Sequence, residues 1–459
     1  MSTFFVKLQV LPAEINPQYA LVEGAFAFCW VVEDSAPAAY NKACLYISKD
    51  EWEIAATDTF PVEVAKQDFE DQGIELAQYL KAQENGISIV YAGWSRDGKT
   101  SRGPVPLQRS NRFDLNAYVG MQKKLARKGR CLHLDSGSRC EKIISAHSIQ
   151  KNGQLASIAD KGHVYTVSKN IGTLKKNDGC LSLEKCGISK VSTFRGFCKT
   201  HDAQLFSPVD TSPLLPTGQQ VLLYAYRSMC RELFVKENTL GLIESQLAEP
   251  PETSPGCRFF QDLKTGTTFG LENLRRHKAD FDASLRSKTY ADIEYTLFVS
   301  KKKPFLAFSG LFFPEFDFLG RHLQNLADHS RRLDLITICS TPMDSGWGFL
   351  FSWHKTSSKA CAEFMRSLAT VVFQSGNAAD AMFRMVVSNC ENLAISPGWW
   401  EHLQKDKRDE VSAYLMHGAN IFAPTDPEYM TKDLEGICQW SFENVLTNVG
   451  RRMLNKPRG

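Results

Sequence analysis

Four residues constrain this chain more than any others. Cys131 and Cys140 flank a polar turn, Asp135-Ser136-Gly137-Ser138, and Cys198 and His201 follow three apart roughly sixty residues later. The turn can fold the chain back so that the first two sulfurs face one point. A three-residue spacing on a first helical turn projects Cys198 and His201 from one side. Three thiolates and an imidazole make the ligand set of a closed tetrahedral structural zinc site. A lone Cys-x2-His says little, and the eight residues between Cys131 and Cys140 exceed the usual ligand spacing. The weight rests on the two pairs together.

The remaining cysteines fit that expectation. Thirteen in 459 residues are too few for a secreted disulfide framework, and in a reducing compartment paired cysteines read as metal ligands. Cys29, Cys44, Cys230 and Cys339 lie among apolar neighbours and read as small buried hydrophobes. Cys180 and Cys186 have apolar flanks in GCLSLEKCGI and favour burial too, with a second site or replacement of one ligand pair as the alternatives. His133 is the substitute ligand if Cys140 does not serve. The opening residues, MSTFFVKLQVLPAEINPQYA, lack a signal-peptide pattern, and no run of eighteen uncharged apolar residues occurs; a cytoplasmic protein without membrane contact is expected.

Net charge is only +3, but it is segregated. Residues 1–98 carry 6 Lys and Arg against 15 Asp and Glu, residues 99–201 carry 20 against 6, and the remainder 28 against 30. The basic excess thus coincides with the Cys/His cluster. Such a concentration suits a polyanionic partner, because Lys and Arg gain affinity by displacing counterions from phosphates. NAYVGMQKKLARKGR reads as a short amphipathic helix with Lys123, Lys124, Arg127 and Lys128 on one face, ended by Gly129. Together with Arg130 these residues are the candidate nucleic-acid contacts, DNA or RNA.

Length predicts several domains. Residues 1–98 show strands in FFVKLQV, VEGAFAFCWVVE, WEIAATDTFPVEVA and ISIVYAGW, with helices in AAYNKACLYISK and DFEDQGIELAQYLKAQENG. This alternation looks like a ferredoxin-like β-α-β-β-α-β sandwich with Trp30, Trp52 and Trp94 in its core. SRDGKTSRGPVP, residues 95–106, has linker composition. Residues 107–210 form the basic zinc-binding domain. Residues 217–459 read as a C-terminal α+β domain with long helices, an exposed Pro-rich stretch AEPPETSPGC, and strands such as IEYTLFVS and WGFLFSWH.

A cysteine pair, a strand ending in histidine (IISAHSIQ) and a Cys-x2-His-Asp opening a helix (FCKTHDAQLF) together resemble the HNH, or ββα-metal, endonucleases, which carry a zinc treble clef. The resemblance covers about residues 125–210. It implies that His147 is a general base acting on water and that Cys198 and His201 are the second zinc pair. It also implies that Asp202 stands where the family has its last histidine, binding catalytic Mg²⁺ or Mn²⁺ through oxygen. Asn152 matches the orienting asparagine, with Asn170 and Asn177 as competitors. Two features depart from the pattern: some fifty residues separate His147 from Cys198, and Ser148 replaces the second histidine of the strand doublet. The function implied is a bacterial, nucleic-acid-binding, possible metal-dependent endonuclease, as in defence or mobile-element proteins, whose outer domains meet protein partners. The alternative is a non-enzymatic scaffold in which zinc only folds the middle domain.

Overall fold

Alternating burial along the first two strands builds a sheet covered on both faces. The computed structural model describes residues 2–69, 73–95, 115–137, 139–168, 181–247, 255–344, 346–375, 378–419, 427, 429–431, 436–438 and 440–449. Residues 96–106 of the expected linker, residues 248–254 of the Pro-rich stretch, Asn170, Asn177 and Cys180 lie outside them. The chain divides into two units, Met1–Met121 with Leu242–Gly266, and Gln122–Gly241 with Thr267–Gly459.

In the first unit, β1 (Ser2–Pro12) and β2 (Val22–Glu33) form an antiparallel hairpin. They are joined by α1 (Ala36–Lys49), β3 (Trp52–Val64), α2 (Gly73–Asn85) and β4 (Ile87–Ser95). The sheet order is β3-β1-β2-β4, antiparallel throughout. Phe4, Val6, Leu8 and Val10 of β1, with Ala25, Ala27, Cys29 and Val31 of β2, face Ala39, Tyr40, Ala43 and Ile47 of α1. The opposite face carries Phe5, Phe28 and Trp30 against Leu76, Tyr79 and Ala82 of α2. Ser35 caps α1, its Oγ accepting from the Ala38 N–H, with Pro37 in the first turn.

The element order is therefore β-β-α-β-α-β, with one helix on each face, rather than the β-α-β-β-α-β sandwich expected. The cause is local: the short connection over residues 13–21 returns β2 directly beside β1, so no helix can intervene. Trp30 and Trp52 are buried as expected, while Trp94 is only half-buried and lies over Gly24, where a Cβ would meet its ring at 2.5 Å.

The second unit is built on an eight-stranded sheet. Its order uses β14 (Asn444–Thr447), β9 (Ile293–Ser300), β12 (Gly346–His354), β11 (Ile336–Met343), β10 (Leu306–Phe312), β13 (Leu393–Ile395), β6 (His163–Val167) and β7 (Leu183–Gly187), in that sequence across the sheet. Neighbours are antiparallel. Leu297, Val299, Cys339 and Leu350 point toward Val221, Leu222, Met229 and Leu233 of α5 (Gly218–Leu247) and Leu271, Leu274 and Phe281 of α6 (Pro255–Ser287). Phe298, Ile338, Phe349 and Phe351 point the other way. There they meet Cys361, Phe364, Met365 and Leu368 of α7 (Ser358–Ser375) and Met382, Met385 and Val386 of α8 (Ala378–Asn389). Covering both faces makes these strands read as nearly continuous apolar runs. The chain continues through α9 (Pro397–His402) and α10 (Lys405–Ala419).

Where the sequence suggests separate middle and C-terminal domains, the structure gathers both in this unit. β6 pairs with β13 at Ile395↔Tyr165 and β7 follows at the edge, so the long stretch between His147 and Cys198 extends the C-terminal sheet. A small core of Ile149, Leu155, Ile158, Val164, Val191, Ala307 and Ala394 seals the junction. Among the described residues, no helix is long and apolar enough to cross a membrane.

Candidate metal centre

Two strands and a helix start position the cluster. β5 (Ile143–His147) pairs antiparallel with β8 (Thr193–Cys198), and α4 (Lys199–Asp210) begins immediately after Cys198. Cys198 is the N-cap of α4: its backbone is extended and its Sγ accepts from the His201 N–H at 3.5 Å. That capping geometry puts His201 back over the sulfur, which explains why the Cys-x2-His spacing works. Cys131 is held against β8 by its neighbours, since the Arg130 N–H donates to Arg195 O and the Leu132 N–H to Gly196 O, at 3.0 and 2.8 Å. Gly129 is required just before them, because a Cβ there would come within 2.4 Å of Ile143.

Cys140 arrives from the turn. Gly137 at φ 92° and Arg139 at φ 55° reverse the chain, and the Gly137 N–H donates to Cys140 Sγ at 3.2 Å. The sulfurs of Cys131 and Cys140 lie 3.4 and 3.6 Å from His201 Nδ1, and all four candidate ligand atoms lie within 4.8 Å of one another. A tetrahedral zinc ion with ordinary Zn–S and Zn–N bonds needs about 3.6 Å between S and N, and about 3.8 Å between sulfurs. The two S–N separations match that spacing and the remaining donor pairs lie within 4.8 Å, so the four could hold one ion, with Nδ1 as the imidazole donor.

Burial is uneven across the set: Cys198 is 0% and His201 6% exposed, Cys131 is half-buried, and Cys140 is exposed. Burial pushes the Cys131 thiol up to about 11. Cys198 is also opposed by burial, but the N–H groups of His201 and Glu141 and the thiols of Cys131 and Cys140 outweigh it and bring its pKa down. A divalent cation would let three thiolates share so small a space.

The surroundings brace the site. His133 stacks flat on His201, 4.1 Å between ring centres and 7° between planes, and its Nδ1 accepts from the Asp135 N–H. It supports the ligand ring and is outside the ligand set. The Tyr226 hydroxyl of α5 lies 2.6 Å from Asp282 Oδ1 of α6 and 3.1 Å from Leu132 O. Arg286 of α6 reaches Leu134 O at 3.4 Å and Asp135 at 3.5 Å. The supports from α5 and α6 were invisible in the sequence, since Tyr226 and Arg286 lie more than ninety residues from the loop they hold and no local pattern marks them.

The other expected site residues are placed as follows. His147 ends β5 and is half-buried, its Nε2 3.2 Å from Ile188 O; burial, then Lys151 and Arg227, lower its pKa despite the Ile188 contact. Asn152 is exposed in a π-helical turn, Lys151–Leu155. Asp202 is partly buried on α4, and burial raises its pKa. Among the described residues no hydrogen bond or ion pair joins these three, and Cys131, Cys140, Cys198 and His201 are the one group of three or more Cys, His, Asp or Glu close enough for a common ion.

Lys123, Lys124, Arg127 and Lys128 are exposed at the end of α3 (Leu115–Arg127). Arg130 is half-buried and paired within the fold. Its Nε and guanidinium nitrogens bind Glu237 Oε2 at 2.7 Å, Phe234 O at 3.0 Å and Asn238 Oδ1 at 3.2 Å, and its guanidinium lies over the Phe234 ring. No family model matches this chain, and neither the curated proteins nor the solved structures contain a match to it.

Proposed function

We propose that this protein binds a structural zinc ion through Cys131, Cys140, Cys198 and His201, and that the module folded around the ion holds nucleic acid. The convergence of three sulfurs and His201 Nδ1 from two distant stretches of chain carries the first half. Support for the second half is electrostatic: the basic excess of residues 99–201 and the four exposed cations closing α3 suit a phosphate backbone. The expected result is zinc in protein prepared without chelators and salt-sensitive retention of DNA or RNA. Retention unchanged when Lys123, Lys124, Arg127 and Lys128 are all converted to Gln removes the nucleic-acid half.

A second reading, metal-dependent phosphodiester cleavage of the HNH kind, draws on His147. A carbonyl oxygen only accepts, so the contact to Ile188 O fixes the proton on Nε2. Nδ1 is left basic, and the depressed pKa keeps the ring neutral near pH 7, the state a general base requires. Asp202, on the helix start, is the oxygen donor for Mg²⁺ or Mn²⁺. The assay is incubation of plasmid, linear DNA and RNA with either cation, beside His147→Ala. Metal-dependent cutting abolished by the substitution supports it; no cutting, or cutting indifferent to the substitution, leaves the zinc-stabilised binding scaffold.

A further inference from the structure

We propose that Cys140 is an oxidation site, at which a peroxide joins Cys140 to Cys131 as a disulfide and so expels the zinc ion. The inference rests on the zinc reading above. Its basis is the difference in access among the cysteines. Cys140 is the exposed one among those described, whereas Cys29, Cys198, Cys230, Cys339, Cys361, Cys390 and Cys438 are buried. Burial also pushes the thiols of Cys230 and Cys390 up to about 12, so they stay protonated as well as shielded. Peroxides attack accessible thiolates, and a zinc ligand is held as a thiolate by the metal itself.

The partner is also at hand. Cys131 Sγ lies within 4.8 Å of Cys140 Sγ, and Cys131 is half-buried. Bond formation requires the sulfurs to close to about 2.05 Å. Cys140 can move to do so because it hangs on a turn outside any strand, reversed at Gly137 and Arg139. Cys198 cannot, being fixed as the last residue of β8 and the cap of α4.

In the first step the Cys140 thiolate attacks the peroxide; an S–O bond forms, the O–O bond breaks, and hydroxide leaves, giving a sulfenic acid. In the second the Cys131 thiolate attacks that sulfur; the S–S bond forms, the S–O bond breaks, and a second hydroxide leaves. Two thiolates lose two electrons, and one peroxide gains them. Cys198 and His201 then remain as the only ligands of the four.

The test starts from zinc-loaded full-length protein, its metal counted before treatment, exposed to hydrogen peroxide beside a chromogenic zinc indicator and followed by peptide mapping. The expected result is release of the bound zinc with a mass loss of about 2 Da and a Cys131–Cys140 peptide, reversed by a dithiol, whereas Cys140→His releases zinc at least about tenfold more slowly. A disulfide engaging Cys198, zinc retained after peroxide, or equal release from Cys140→His overturns the proposal and leaves zinc binding intact. Absence of zinc before peroxide overturns the zinc reading itself. Should Cys140→His not load, the disulfide map of the unaltered protein decides.

Discussion

Cys198 and Cys140 contribute to one site from opposite positions, and their substitution should show it. Cys198 caps α4, is fully buried and belongs to the cluster, so Cys198→Ala removes a cap and a candidate ligand together. It should abolish zinc retention and cost more than about 3 kcal/mol of stability in thermal or urea denaturation. Cys140→Ser leaves a cap and core intact, and should lower metal affinity with a smaller loss of stability. The cluster was legible because two spacings converged on one chemistry, and the fold brings its four residues together. Arg130 differs from its sequence neighbours for an equally physical reason: they are surface cations, whereas Glu237 and the Phe234 ring, a hundred residues on, engage its charge and its plane.

A second residue-scale consequence concerns pH. His277 of α6 is buried, its Nε2 donates to Leu333 O at 2.8 Å, and its Nδ1 accepts from Arg332 at 2.7 Å, so the folded ring must be neutral. Burial, reinforced by the Arg332 charge, lowers its pKa from 6.5 to about 4. The unfolded chain therefore takes up the proton first as pH falls. His277's contribution is complete above about pH 6.5 and is lost progressively down to about pH 4, on the order of 2 kcal/mol between pH 7.5 and 5. Urea midpoints at those two pH values measure it. In His277→Gln this part of the pH dependence should vanish, and an unchanged dependence would show that other groups carry it.

At the scale of elements, helix and strand positions were largely readable while their partners were not. The runs FFVKLQV, VEGAFAFCWVVE and AAYNKACLYISK read as strand, strand and helix, and β1, β2 and α1 lie there. Helix placement across the sheet depends on which strands pair, which spacing alone does not encode. The end of α3 offers a sharper prediction. Converting Lys123, Lys124, Arg127 and Lys128 to Gln should reduce the slope of log affinity against log salt by about 3 to 4 for duplex DNA, with the melting temperature nearly unchanged. Arg130→Ala should do the reverse, lowering stability by about 1 to 3 kcal/mol and scarcely changing the salt slope.

Across the whole molecule, the joining of β6 and β7 to the C-terminal sheet is the feature least visible in the sequence, because a strand's partner 230 residues away leaves no local mark. It carries a prediction about fragments. Residues 217–459 alone lack β6, β7, Ile149, Leu155, Ile158 and Val164, leaving β13 unpaired on one side and Ala307 and Ala394 uncovered. Such a fragment should be aggregation-prone or lack dispersed amide resonances, whereas residues 122–459 should give the resonances of a folded protein. The same wiring ties the metal cluster to α5 and α6 through Tyr226, Asp282 and Arg286, so removing the ion with a chelator should lower the melting temperature of the sheet-bearing unit as a whole. The most direct measurement is X-ray absorption at the zinc edge on protein prepared without chelators. One zinc per chain with three sulfurs at about 2.3 Å and one nitrogen at about 2.0 to 2.1 Å is expected; no zinc, or a shell of oxygen and nitrogen alone, would contradict the account.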